Sequence, residues 1–342
     1  MVNMSKLRMM LLLAVIAIMI TACGTKQAAN QNETSSGASP ATETSAANAG
    51  TEAGTKGTSE QPKQEELTIK HQLGETKVKK NPEKVVVFDF GSLDTLDKLG
   101  IEITALPKSN IPEYLSKYKD DKYINVGTLQ EPDFEKINEI QPDLVIISGR
   151  QSSLYEEFSK IAPTIFLGVD TTRYMESFHE NAKTIGQIFG KESEVEQELA
   201  KIDEVIAKLH EKATSSGKNA LVVLANDGKV SAYGPGSRFG LIHDVFGLAP
   251  VDSNIEVSTH GQSISFEYIV EKDPDYLLVI DRGAVVGGKS SAAQVVENEL
   301  VKNTKAYKNG NVIYLDPGYW YLSGGGLVSV AEMVREVDEG LK

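Results

Sequence analysis

Three arginines stand just beyond an apolar run or a tight turn. Arg150 follows the run 144–147, Arg282 follows 277–280, and Arg238 follows Gly234-Pro235-Gly236. A guanidinium is always charged and offers a planar fork of donors suited to the oxygens of an anion. Three of them converging in an acidic protein would form a focused cationic site. Scattered, they would be three surface ion pairs. Two other side chains can ligate iron, His260 in Ser258-Thr259-His260-Gly261-Gln262 and Tyr321 in Trp320-Tyr321-Leu322-Ser323-Gly324. Taken by themselves they read as a capping histidine and a packing tyrosine. His71, His179, His210 and His243 show no metal-ligand spacing. No Gly-x-Ser-x-Gly elbow, His-Glu-x-x-His pair or reactive cysteine is present, so the chain does not read as an enzyme.

The arginine positions recur because the chain repeats itself. Residues 134–150 (FEKINEIQPDLVIISGR) and 266–282 (FEYIVEKDPDYLLVIDR) align without a gap at an offset of 132 positions. Each copy is a short helical pattern, a Pro-Asp turn, an apolar strand and an arginine just past the strand. The separation is too long for a solenoid repeat and indicates two lobes of similar build. Arg150 and Arg282 then hold equivalent places, and in open α/β sheets ligands bind beyond the carboxyl ends of the strands. Glu135 and Glu267 begin the two repeated helices, where a carboxylate favours the helix dipole. As an exposed pair, one per lobe, they also offer a two-point docking surface for arginines of a partner.

The 342 residues suggest about two domains. Between the repeats, residues 192–212 contain no glycine or proline and place Val195, Leu199, Ile202, Ile206 and Leu209 at helical spacing. That helix is roughly 30 Å long, and a single stiff connection implies only modest hinge motion. Strand runs at 85–88, 101–106, 123–126, 144–147 and 163–169 alternate with helical ones, indicating a parallel-type α/β sheet. Ser92 is expected to cap a helix over 93–99, and Asp133 the first of the repeated Phe-Glu helices. The second half repeats this logic, with strands at 220–224, 230–233, 277–280 and 312–315 and helices at 239–246, 266–271 and 327–341. The expected organisation is an N-terminal lobe at 67–190, a connecting helix at 191–214 and a C-terminal lobe at 215–342.

A formal net charge of −13 and no basic stripe argue against nucleic-acid binding. The single cysteine, Cys23, permits neither an internal disulfide nor a Cys-based zinc site. Lys6 and Arg8, the apolar run 9–20 and Ile20-Thr21-Ala22-Cys23 resemble a bacterial lipoprotein leader at 1–22, with Cys23 lipidated. Residues 23–66 lack aromatic and large aliphatic side chains over most of their length and read as a disordered tether.

Together these features resemble the class III solute-binding proteins of ABC importers, the ferric-siderophore and vitamin B12 group, over residues 67–342. Within that group the stretches VVVFDFGSLDTLDKLG, ISGRQS, GSRFGLIHDVFG, STHGQS, VIDRG and WYLSGGG are similar to petrobactin-type catecholate siderophore-binding lipoproteins. The resemblance implies two Rossmann-like α/β lobes with a cleft between them, joined by one long helix. It places Arg150, Arg238 and Arg282 on an arginine triad that contacts an anionic iron complex. It makes His260 and Tyr321 conditional iron ligands, used when the siderophore leaves positions open. Trp320, Tyr319 and Tyr233 would stack on catechol rings. Glu135 and Glu267 would engage arginines of a permease powered by a separate ATPase. The implied protein is a monomer without intrinsic cofactor, held by lipid to the outer face of the bacterial membrane. Another iron chelate, haem or vitamin B12 as ligand, or a structural surface lipoprotein, are the alternative readings.

Overall fold

Uninterrupted apolar runs, whose successive residues face opposite sides, build the first sheet. Val85, Val87, Leu144 and Ile146 face one core, while Val86, Phe88, Val145 and Ile147 face another. A strand buried on both faces belongs inside a parallel sheet. Here Ile124–Asn125, Ala105–Leu106, Val85–Val87, Leu144–Ile147 and Thr164–Phe166 lie side by side in that order, all parallel. Chain order reverses at Val85–Val87, so the switch point of the sheet falls between the ends of Val85–Val87 and Leu144–Ile147, next to Asp89 and Arg150. This computed structural model describes residues 65–342. The leader, Cys23 and nearly all of the tether lie outside the described residues.

The second sheet is mixed. Its order is Gln262–Ile264, Lys229–Tyr233, Asn219–Asn226, Tyr276–Asp281 and Val312–Leu315, with Ala249–Pro250 also paired to Asn219–Asn226. Tyr276–Asp281 runs parallel to both of its neighbours. Lys229–Tyr233 is antiparallel to both of its own. The antiparallel part departs from the expected parallel build, and its cause is local. Asp227 (φ 46°) and Gly228 (φ 81°) form a two-residue turn with both φ positive, the geometry that closes a tight hairpin.

The connecting helix runs Glu192–Ser216 and ends where Gly217 adopts φ 63°. Its stripe of Val195, Leu199, Ile202, Ile206 and Leu209 is buried, as the spacing required. The closing helix, Leu327–Gly340, packs on the connecting helix and also on Phe90–Lys98 of the first half. One core therefore runs beneath both sheets, from Val85 and Phe90 to Leu278 and Val334. The closing helix is also capped from the first half. Asp94 accepts the backbone N–H of Val328 (3.1 Å) and of Ser329 (3.0 Å). Burial pushes the Asp94 carboxyl up to about 7, against these hydrogen bonds.

Most elements fall close to their expected places, with corrections at the ends. The cap of the first helix is Asp89, not Ser92. Asp89 accepts both the N–H and the hydroxyl of Ser92, and the helix begins at Phe90. Asp133 caps Phe134–Ile140 as expected. The helix read at 239–246 shrinks to Leu241–Asp244, because the preceding segment is a glycine-rich turn. Ahead of both sheets, Glu66–His71 pairs with Gly74–Lys79 in a separate two-stranded hairpin. The repeat is retained in detail. Gln141 and Asp273, 132 positions apart, both end their helices with positive φ, and Asp143 and Asp275 both accept backbone N–H groups of the neighbouring strand's entry.

Candidate ligand-binding cleft

Each arginine is aimed by its own turn. Arg150 lies on the 3-10 segment Gly149–Leu154 that follows Leu144–Ile147. Gln151 anchors that segment, accepting from Ser148 N and donating to the Leu129 carbonyl. Arg238 follows a turn held by Gly236 N donating to Asp244 and by the Ser237 hydroxyl donating to Gly234 O. Arg282 opens the helix Arg282–Val286 behind its cap Asp281.

All three converge on Tyr321, which sits in the wide π-helical turn Gly318–Ser323. Such turns recur at functional sites because they displace one residue from the regular ladder. The Tyr321 carbonyl accepts from Arg150 Nη2 at 2.8 Å and from Arg238 Nη2 at 2.5 Å. The Tyr321 hydroxyl accepts from Arg282 Nε at 2.8 Å, while Arg282 Nη1 donates to Asn226 Oδ1 at 2.9 Å. The guanidinium carbons of Arg150, Arg238 and Arg282 lie 5.9, 4.3 and 5.5 Å from the centre of the Tyr321 ring. Arg150 and Arg282 do not simply face each other; the tyrosine lies between them.

The electrostatics follow from this crowding. Burial resists ionisation of Tyr321, but the Arg282 hydrogen bond and the charges of Arg238, Arg282 and Arg150 outweigh it, holding the phenol below its ordinary value. Arg150 is pulled down, first by burial and then by the charge of Arg238.

Two cavities share this cluster. The larger, about 490 Å³, is walled by both halves, including Asp89 and Arg150 on one side and Arg238 and Val257 on the other. The smaller, about 340 Å³, is walled by the second half alone, including Asn226, Lys229, Arg282, His260 and Tyr321. Arg238 and Thr259 belong to both. His260 and Tyr321 thus line one cavity, His260 from an exposed loop. Thr171 bridges the halves by donating to the Gly236 carbonyl at 3.3 Å.

The aromatic expectations fare differently. Tyr233 and Trp320 line the smaller and the larger cavity respectively, but each is only 2% exposed. Tyr233 packs on Phe239, and the Trp320 indole packs on Phe246 and donates to Glu336 at 2.8 Å. They shape the walls and present no open ring face for stacking. Tyr319 lines neither cavity and packs on Tyr114. Glu135 and Glu267 are exposed in the first turns of Phe134–Ile140 and Phe266–Lys272. Asn226, Lys229 and Asp89 escaped the sequence reading. The Asp-Gly pair between two apolar runs was the signal that would have placed Asn226 and Lys229 opposite one another.

Among the described residues no helix is long and apolar enough to cross a membrane. Residues 85–319 match the model of the periplasmic binding protein family. The chain is 56% identical to the petrobactin-binding protein YclQ of Bacillus subtilis over 343 aligned residues, covering 99% of this chain and 100% of YclQ. The YclQ crystal structure superposes with a TM-score of 0.80, at 63% identity, over 81% of this chain and 99% of that one. The catecholate-siderophore binding protein VctP of Vibrio cholerae gives a TM-score of 0.77 at 39% identity, over 80% of this chain and 100% of VctP. BauB, solved with two molecules of acinetobactin and ferric iron, gives 0.75 at 35% identity, over 81% of this chain and 99% of BauB. These relatives are solute-binding proteins, and their α/β architecture is the one described above. The chain belongs to the periplasmic binding protein family.

Proposed function

We propose that this protein is the extracytoplasmic binding component of an ABC importer, and that it captures a ferric catecholate siderophore of the petrobactin type. The observation that carries this reading is the convergence of Arg150, Arg238 and Arg282 on Tyr321 in a cleft between two α/β halves. A ferric catecholate is anionic, and guanidinium forks offset that charge while reading its oxygens. The likeness to a petrobactin-binding protein and to a protein solved with a ferric siderophore supports the same ligand class.

Binding needs no bond-making in the ligand. The arginines exchange their hydrogen bonds to Tyr321 for bonds to the complex. Where the siderophore leaves iron positions open, Tyr321 and His260 supply the remaining donors. Trp320 and Tyr233 hold the walls rigid. Glu135 and Glu267 then dock the loaded protein on a permease, one contact per half, with transport driven by a separate ATPase. Cys23 carries the lipid that keeps the protein at the outer face of the membrane.

Trp320, the only tryptophan, reports on the larger cavity that it lines. Titrating the purified protein with iron-loaded siderophores should give saturable fluorescence quenching by bis-catecholates but not by hydroxamates or vitamin B12. Quenching only by a hydroxamate, haem or vitamin B12 would retain the transport family and overturn the ligand.

A further inference from the structure

The two cavities differ in charge. Among the residues lining the larger one, Arg150 and Arg238 are accompanied by the carboxylate of Asp89. The smaller one is lined by Lys229, Arg238 and Arg282 and by no aspartate or glutamate. Its floor is one face of the hairpin that the Asp227-Gly228 turn closes. Asn226 and Lys229 are directly paired across that hairpin, as are Leu224 and Ser231. Directly opposed residues of an antiparallel pair share a face. The side chain of Asn226 turns to Arg282, so that of Lys229 rises on the same side, at the cavity's edge. Lys229 is exposed, and among the described residues no carboxylate lies within ion-pair distance of it.

The charge count exceeds what a simple complex needs. Iron(III) held by two catecholates carries a single negative charge. Lys229, Arg238 and Arg282 supply three positive ones. We propose that the acid-free compartment receives the more anionic part of the ligand, and that Lys229 is a specificity residue reading a negative group beyond the two catecholates, such as a free carboxylate on the chelator's backbone. This deepens the function proposed above and rests on that reading of the ligand as a ferric catecholate. A lysine suits the task. Its ammonium is a compact charge on a flexible stem, able to follow a pendant anion that a fixed guanidinium fork would miss.

The test uses a matched pair of tetradentate bis-catechol chelators loaded with iron(III), one with a free backbone carboxylate and one with that group as its methyl ester. Affinities are measured for the full chain, for Lys229→Gln and for Lys229→Arg. Lys229→Gln should weaken the carboxylate complex about fivefold or more while leaving the ester within about twofold, because the arginines meet the charge of the iron core and the exposed ammonium acts chiefly on the added charge beside it. Lys229→Arg should recover most of the loss, and added salt should shrink the difference between the two complexes in the unaltered protein. Equal weakening of both complexes by Lys229→Gln, or no change in either, would overturn the assignment. If the unaltered protein bound neither complex, the ferric-catecholate reading itself would fail, and this inference with it. Because Lys229 is exposed and follows a turn made by other residues, the variant folds as the parent does, which the Trp320 emission verifies.

Discussion

Replacing Tyr321 by phenylalanine removes one oxygen from the centre of the cleft and keeps the ring. That oxygen accepts from Arg282 Nε at 2.8 Å, whereas the Tyr321 carbonyl, which holds Arg150 and Arg238, is untouched. A hydrogen bond to a charged group contributes about 1.5–3 kcal/mol when its loss leaves the partner unsatisfied. Arg282 keeps its bond to Asn226, and the site is partly open to solvent, so about 1 kcal/mol is the expected loss near neutral pH. For a chain of this size that lowers Tm by roughly 2 °C. The pH dependence has a definite sign. The folded protein holds the Tyr321 phenol below its ordinary value. A depressed folded value contributes stability that is full above the unfolded value of about 10 and fades as pH falls through the folded one. The gap between the parent and Tyr321→Phe should therefore widen as the solution becomes alkaline. An ultraviolet phenolate titration should show an early step in the parent that the variant lacks, since Tyr114, Tyr233 and Tyr319 are all pushed upward, first by burial. With a bis-catecholate iron complex, only the parent should add a phenolate-to-iron charge-transfer band. An early phenolate step that survives in Tyr321→Phe, or a stability gap that is flat with pH, would refute the claim that the arginines activate this tyrosine.

Two further outcomes follow from other parts of the molecule. The double substitution Glu135→Ala with Glu267→Ala should abolish iron uptake in cells while leaving ligand affinity unchanged, because both carboxylates are exposed and neither lines either cavity; uptake at the parental rate would remove the docking role. Asp94 carries a buried carboxyl raised to about 7, so its contribution to stability is greatest below the unfolded value of about 4 and is lost as pH rises through about 7. Asp94→Asn should flatten that part of the stability profile, and an unchanged slope in denaturant melts between those pH values would show that other groups produce it.

Much of the fold was legible in the chain because its causes are local. The apolar runs Val85-Val86-Val87 and Leu144-Val145-Ile146-Ile147, the uninterrupted stripe of Glu192–Ser216 and the Pro-Asp turns are short-range patterns. The duplicated arginine could be found for the same reason, since a repeat in sequence carries a repeat in geometry. What the chain's order hid was long-range. That Asp89 rather than Ser92 caps the first helix depends on where the strand before it stops. That Asp94 caps a helix more than 230 positions later depends on the closing helix returning to the first half.

By itself, then, the sequence determined two α/β halves, a stiff connection and an arginine at matching strand ends. Only the tertiary structure decided that the arginines meet at Tyr321, that Trp320 and Tyr233 are walls, and that Lys229 stands over an acid-free compartment. The physical reason is the range of the forces. Hydrophobic patterning and turn preference act between neighbours in the chain, whereas hydrogen bonds and charges in the cleft join residues 39 to 171 positions apart, and nothing in local sequence encodes which of them will meet.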